Sequence, residues 1–490
     1  MRIGLETRGS ADFETPLLTL VLTQGASVAE DALSGAAKDL VDAALRSGDF
    51  EGRNKDSLVI YPPGASTRVL LLGVGPKDEL DAETLRGAAG RAVRAAENSR
   101  CTSLTMVIPE AGDLSPQTRA RALTEGAILA SWRYREDQEP DKDDPPDIEE
   151  VTFLASGKPD EFQKGIDLGA AGANGENLAR TLQSRPANRA TPTHLAKEAR
   201  ALAERTGMKI EVLGRKKMRK EGMHALLAVA QGSAEPPKMI VLRYQNGLDR
   251  PAIALVGKAI SFDAGGISLK PSPGMEEMKY DMSGGAAVIG AMAAIAAAEL
   301  PVNVVGVVPS AENLPSGTAV KPGDVIGSLA GKTIEVINTD AEGRLILADA
   351  LAYTARMEPA AMVDCATLTG SVVVALGHHA SGVMGTDEDL IAELREAGEN
   401  TGERCWPLPL WKPYRKQLDS DFADLKNVGG RPGGSITAGS FLKEFTGEVP
   451  WAHLDIAGTA YGKGEAPYHR KGALGVPTRL LFEWVRSRSG

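Results

Sequence analysis

Cysteine is nearly absent from this 490-residue chain: Cys101, Cys365 and Cys405 are odd in number and far apart. That excludes a disulfide framework and points to the reducing cytoplasm. Positive charge is also short, with 55 Lys and Arg against 65 Asp and Glu and a net charge of −10. No global field draws nucleic acid or an anionic membrane, although a local basic patch stays open. Long apolar runs are missing too. The stretch GGAAVIGAMAAIAAA from Gly284 ends at Glu299 and falls short of the roughly 20 residues a bilayer span needs. It reads as an Ala-rich helix buried on a sheet. The opening MRIGLETRGS has no apolar core of a signal peptide, so no targeting segment is expected. No internal repeat is evident. Gly73 and Gly75 in TRVLLLGVG lack the third glycine and the ribose-reading acid of a dinucleotide loop, which leaves a plain strand-to-helix turn.

What is present is an α/β pattern too long for one ordinary core, so two or more domains are expected. In 1–158, strand-like runs (PLLTLVLTQG, SLVIYPPG, TRVLLLGVG, LTMVIPE, VTFLASG) alternate with helical ones (VAEDALSGAAKDLVDAALRSG, DAETLRGAAGRAVRAAENS), predicting a small N-terminal α/β domain. The acidic, proline-bearing segment 135–150 reads as a solvated loop. A long helix over 159–184 is expected to connect to a larger α/β domain, 185–490. There KIEVLG, KMIVLRYQ, PAIALVG, VNVVGVVPS, KTIEVINT, AAMVDCATLTG and WAHLDIAG predict a mixed, mostly parallel sheet flanked by helices.

The most informative stretch is NTDAEGRL, 338–345. It follows KTIEVINT, and residues at i and i+2 of an extended chain share a side. Asp340, Glu342 and Arg344 are therefore expected to converge at a strand's carboxyl end, where open α/β sheets place their sites. A second apolar strand, PAIALVG, runs into Lys258, Asp263, Lys270 and Asp281, with Gly265, Gly266, Gly284 and Gly285 allowing tight bends. Four carboxylates repel unless something offsets their charge. Divalent cations do so, and an oxygen-rich set suits a pair of ions such as Mg, Mn or Zn in a hydrolytic clamp. A lysine beside such ions is either a cation stabilising developing charge or a neutral amine ligand. The pattern reads as metal-assisted hydrolysis.

GKAISFDAGGISLKPSPGMEEMKYDMSGGAAV, NTDAEGRLILADAL, DCATLTGSVVVALG, NVGGRPGGSITAGSFLKEF and WAHLDIAGTA, preceded by SRPANRATPTHLA, resemble the successive blocks of the leucyl aminopeptidase, or cytosol aminopeptidase, family. The resemblance runs through roughly 170–485 and is looser in the N-terminal third. It implies a metal-dependent aminopeptidase that hydrolyses the N-terminal residue of peptides, leucine or similar preferred, through a two-metal-activated water. By the same resemblance, Lys258, Asp263, Asp281 and Glu342 hold the tighter metal, and Asp263, Asp340 and Glu342 the second. Lys270 meets the oxyanion, and Arg344 anchors a bicarbonate acting as general base. Met278, Thr367, Gly370 and Ala457 shape the pocket for the first side chain. It further implies two divalent ions per chain (Mn or Zn, with Mg or Co as alternatives) and a homohexamer whose sites face an internal cavity. Ala259 and Ala264 stand where many members have Gly and Ser, and Ser283 where some have Cys; none is a ligand position.

Rival readings remain. Ser268 and Lys270, with the glycine-rich loop ending at Ser435, suit a Ser/Lys amidohydrolase without metal. A DNA-binding role is known among relatives, and the acidic balance argues against it here. His378 and His379 are adjacent, so they point opposite ways and read as packing or loop hydrogen bonding. The loop 429–435 reads as a rigid cleft lining or an oligomer contact.

Overall fold

The computed structural model describes residues 1–7, 14–28, 33–110, 113–139 and 141–489. The start of the first expected helix, 29–32, lies outside them, as do residues 8–10 of the opening segment and residue 140 of the acidic loop. The chain divides into two compact units, Met1–Asn174 with Lys463–Arg470, and Gly175–Gly462 with Lys471–Gly490. The division falls within a single helix, Pro159–Ser184.

The first unit holds a six-stranded sheet: β1 (Arg2–Glu6), β2 (Leu17–Leu22), β3 (Ser57–Ile60), β4 (Arg68–Gly73), β5 (Ser103–Val107) and β6 (Glu150–Leu154). The order is β1-β6-β5-β2-β4-β3, parallel except where β3 meets β4. The helix Ala82–Asn98 packs on it, and a second helix, Pro116–Ser131, not anticipated from the sequence, packs against the first. The strand β1 was likewise not anticipated, because RIGLE is short and carries charge at both ends. Gly73 is needed for space: a Cβ there would meet the Arg53 carbonyl oxygen at 2.1 Å.

The second unit carries β7 (Lys209–Leu213), β8 (Lys238–Gln245), β9 (Ile253–Gly257), β10 (Ala259–Asp263), β11 (Asn303–Asn313), β12 (Val325–Gly327), β13 (Thr333–Glu335), β14 (Ala361–Ala366), β15 (Ser381–Gly385), β16 (Cys405–Pro407), β17 (Leu425–Lys426) and β18 (Trp451–Asp455). The large sheet runs β16-β15-β18-β14-β9-β11-β8-β7, with β10 paired on β11. Its centre, β18-β14-β9-β11, is parallel. The continuous apolar run β9 and the mainly apolar β14 are buried along their whole length, as strands covered on both faces must be.

The helix Ser283–Ala297 is the Ala-rich run expected from the sequence. It joins a 3-10 stretch into a helical segment, Met275–Ala297, that is apolar enough to cross a membrane, yet 78% of its apolar window is buried inside the protein. Its glycines permit this packing: a Cβ at Gly284 would lie 2.1 Å from the Cys365 carbonyl oxygen. Helix and sheet are thus in backbone contact at the carboxyl ends of β9 and β14.

One strand expectation is corrected. KTIEVINT does not form a strand of the large sheet. Only Thr333–Glu335 is extended, in a small sheet of order β12-β13-β17. The chain leaves it at Val336, because Asn427 captures the next amides: its Oδ1 accepts from Ile337 N at 2.8 Å.

Candidate metal centre

Lys258 follows β9 directly, and Thr367 follows β14. From β9 the chain passes to β10 and β11 on one side of this pair, and from β14 to β15 and β18 on the other, which makes the crevice between them the switch point where α/β sheets bind ligands. Lys258 Nζ is buried there, 2.8 Å from Asp281 Oδ2 and 2.9 Å from Glu342 Oε1, and donates to the Thr367 carbonyl at 2.9 Å. Asp281 comes from the 3-10 stretch Met275–Met282, and its Oδ1 accepts from Thr367 Oγ1 at 2.7 Å.

Asp263 closes β10. After it the chain turns through Gly265 and Gly266, both at positive φ, 88° and 68°. A Cβ on Gly265 would meet Ser268 O at 2.4 Å. This tight turn returns Lys270 to the strand end, with Nζ 2.8 Å from Asp263 Oδ2 and 2.5 Å from Asp340 Oδ1. Each lysine therefore bridges one pair of carboxylates.

Asp340, Glu342 and Arg344 converge, but not by strand alternation. Glu342 is already in the helical region, φ −80° and ψ −34°, at the N-cap of the helix Gly343–Ala355, and Arg344 lies in that helix's first turn. Asp340 sits in the preceding turn, its amide donating to Asn338 Oδ1 at 2.9 Å. Carboxylate oxygens of Asp263, Asp340 and Glu342 all lie within 4.8 Å of one another. Arg344 Nη1 donates to the Asn427 carbonyl at 2.7 Å, while its Nε is buried without a hydrogen-bond partner.

The cluster is under-neutralised. Burial, then the Glu342 charge, raises the Asp263 pKa, with Lys270 and Lys258 opposing. Burial raises Asp281 far more, against Lys258, and burial followed by Asp263 raises Asp340. Burial works against charge on Lys258 and Lys270, yet the surrounding carboxylates outweigh it and hold both lysines above the ordinary value. Burial drops Arg344 to about 10 despite Glu342 and Asp455. Glu342 Oε2 is buried with no hydrogen-bond partner, and Asp281 Oδ2 and Asp340 Oδ1 face only ammonium groups. Hard divalent cations fit such an oxygen set.

Of the residues expected to shape the pocket, Thr367 touches the cluster directly. Gly370 is exposed at the start of the helix Gly370–Leu376, with nothing within 4 Å of where a Cβ would stand. Ala457 follows β18, and half-buried Met278 shares the 3-10 stretch with Asp281. His378 makes a loop bond, its Nδ1 2.8 Å from the Gly458 carbonyl.

Three residues escaped the sequence reading. Asn313, ending β11, donates from Nδ2 to Asp263 Oδ1 (2.8 Å) and to the Thr339 carbonyl (3.0 Å). Asn427 folds the 337–341 segment. Asp455 ties the loops beyond β14 and β18. The last two lie inside quoted sequence blocks, and Asn313 is a polar residue closing an apolar strand; such placement was the available signal.

Residues 177–482 match the cytosol aminopeptidase family, catalytic domain, and residues 20–139 match that family's N-terminal domain. The chain belongs to the cytosol aminopeptidase family. Among its relatives, a probable cytosol aminopeptidase of Roseiflexus castenholzii is 45% identical over 99% of both chains. One from Geobacter sp. (strain M21) is 45% identical over 100% of both. Among solved structures, a bottromycin maturation enzyme in complex with Mn is 35% identical, with TM-score 0.88 over 97% of this chain and 100% of that one. A mutant of tomato leucine aminopeptidase is 31% identical, TM-score 0.88, over 99% and 96%. This family membership makes the chain a metallo-aminopeptidase, consistent with the carboxylate cluster.

Proposed function

We propose that this aminopeptidase removes leucine or a similar residue from peptide N-termini with two divalent ions, Mn or Zn, with Mg or Co as alternatives. The observation that carries this is the pair of lysine-bridged carboxylate couples at one strand-end crevice. Lys258, Asp263, Asp281 and Glu342 would hold one ion, and Asp263, Asp340 and Glu342 the other. Lys258 can be a ligand only by giving up its proton, since an ammonium has no lone pair. Bound divalent ions supply Lewis acidity and charge for activating water and polarising the scissile carbonyl.

The chain's own groups do the rest. Lys270 presents a preorganised cation to the developing oxyanion. Arg344, with Nε unpartnered, would hold a bicarbonate that accepts a proton. Met278, Thr367, Gly370 and Ala457 would line the side-chain pocket, where exposed Gly370 leaves open space. We assign 1–158 to an N-terminal domain, 159–184 to the connecting helix and 185–490 to the catalytic domain. We place the protein in the cytoplasm as a homohexamer, acting on peptides and not on membranes or nucleic acid.

A Ser/Lys mechanism has less support. Ser268 Oγ accepts from the Thr339 amide at 3.1 Å, while Lys270 is engaged by Asp263 and Asp340. The deciding experiment is hydrolysis of aminoacyl p-nitroanilides before and after metal stripping, with Mn, Zn, Co or Mg restored. Full activity in a metal-free sample refutes the reading.

A further inference from the structure

Asp455 ends β18, level with Ala366 of β14 and Gly382 of β15, and is fully buried. Its Oδ1 accepts from Leu368 N at 3.1 Å, Thr369 N at 3.4 Å and Ala457 N at 3.3 Å. Its Oδ2 accepts from Thr369 Oγ1 at 2.7 Å. A buried carboxylate is costly unless such partners satisfy it, and these all lie on the two loops that carry Thr367, Gly370 and Ala457. Thr369 Oγ1 also sits 2.8 Å from Ser435 Oγ, which joins the glycine-rich loop to the same point, and accepts from Val372 N at 3.2 Å, which caps the helix Gly370–Leu376. On its other side the 367–370 loop is fastened to the metal cluster, through the Thr367 carbonyl on Lys258 and Thr367 Oγ1 on Asp281.

We infer that Asp455 is a positioning residue for substrate selection: its carboxylate sets the spacing between the Thr367–Gly370 wall and Ala457, and so the side chain the pocket accepts. The inference rests on the aminopeptidase reading above. Asp455 is not one of the cluster carboxylates and holds backbone amides of both walls on one oxygen; its charge also reaches Arg344, an effect that Thr369→Val leaves in place. An asparagine keeps a carbonyl oxygen for those amides but offers no acceptor to the Thr369 hydroxyl at the second position.

The test compares Asp455→Asn, Asp455→Ala and Thr369→Val. It measures metal content, kcat and KM for Leu- and Ala-p-nitroanilide, and amide hydrogen exchange across 366–372 and 456–460. Asp455→Ala is expected to keep its metals, to raise KM for the Leu substrate more than it lowers kcat, and to cut the Leu:Ala preference by roughly 10-fold, the size of one lost bond to a charged acceptor. Asp455→Asn and Thr369→Val should show smaller shifts in the same direction. Exchange should quicken at Leu368, Thr369 and Ala457 while the β14 amides stay protected. A purely structural role would depress both substrates alike. An unchanged Leu:Ala ratio in Thr369→Val and Asp455→Asn, or unchanged exchange at those amides, overturns the inference. A parent enzyme that cleaves neither substrate with any metal sinks the aminopeptidase reading instead, and the exchange data still decide whether Asp455 holds the walls.

Discussion

Gly343, the fifth position after Asn338, offers a test of how the cluster is built. A Cβ there would lie 2.5 Å from both Cε and Nζ of Lys258 and 2.7 Å from Cδ. Carbon atoms rest at about 3.5–4.0 Å, so Gly343→Ala must push the lysine tip by roughly an ångström. The tip cannot yield freely, because three partners hold it at 2.8–2.9 Å in a site where Lys258 is 3% exposed. A shift of that size takes these contacts beyond hydrogen-bond length. Breaking a buried pair in this way costs about 3–5 kcal/mol, while replacing Gly by Ala in a helix returns at most about 1 kcal/mol. The variant should therefore be less stable by about 2–4 kcal/mol in chemical denaturation and should lose the metal assigned to Lys258. A double-mutant cycle isolates the cause. In a Lys258→Ala background the space is vacant, and Gly343→Ala should be close to neutral. An equal cost in both backgrounds, or Gly343→Ala with parent stability and metal content, refutes the steric argument.

Lys270→Ala should retain its metals and lose kcat by about 100-fold or more, as for loss of an oxyanion donor; metal analysis beside kinetics checks both halves. Asn313→Ala removes the donor on Asp263 Oδ1 and should weaken metal binding by roughly 10- to 100-fold, read by titration with a chromophoric chelator. N-acetyl-Leu-p-nitroanilide should not be cleaved, since the reading needs a free amino group at the ions; turnover like that of the unblocked substrate counts against it. Burial pushes the Asp349 carboxyl up to about 7, although the Leu226 and Leu329 amides oppose this. The folded state then keeps a proton that the unfolded chain sheds near pH 4, so stability should fall as pH rises from about 4 to 7, by at most about 1.4 kcal/mol per unit, and level off above. Asp349→Asn should flatten that slope in pH-dependent denaturation.

The residues of the carboxylate cluster were legible because each block ends an apolar strand or opens a helix, and apolar periodicity marks those positions from local sequence. The buried parallel centre, β9, β11, β14 and β18, was legible for the same reason. Strands β15 and β16 were not, because SGVMG and CWP are short and carry little β preference. The polar residues that orient the cluster carboxylates were hidden more deeply. Asn313 and Asp263 are fifty residues apart and Asn427 and Ile337 ninety apart, and no local pattern encodes a hydrogen bond across that separation.

The NTDAEGR block shows why a right convergence can have a wrong cause. Strand alternation and a turn entering a helix both bring Asp340 and Glu342 to one side, so the sequence pattern cannot separate them. The electrostatic consequences differ. At a strand end the carboxylates would meet only side-chain cations. Here Glu342 occupies the N-cap position of the 13-residue helix Gly343–Ala355, while Asp281 lies inside the helical segment Met275–Ala297. One helix amino terminus, carrying roughly half a positive charge, thus adjoins the cluster at Glu342, beside Lys258 and Lys270. That fixed positive field lets four carboxylates share a buried crevice while remaining short of neutrality, the condition under which added divalent cations are drawn in.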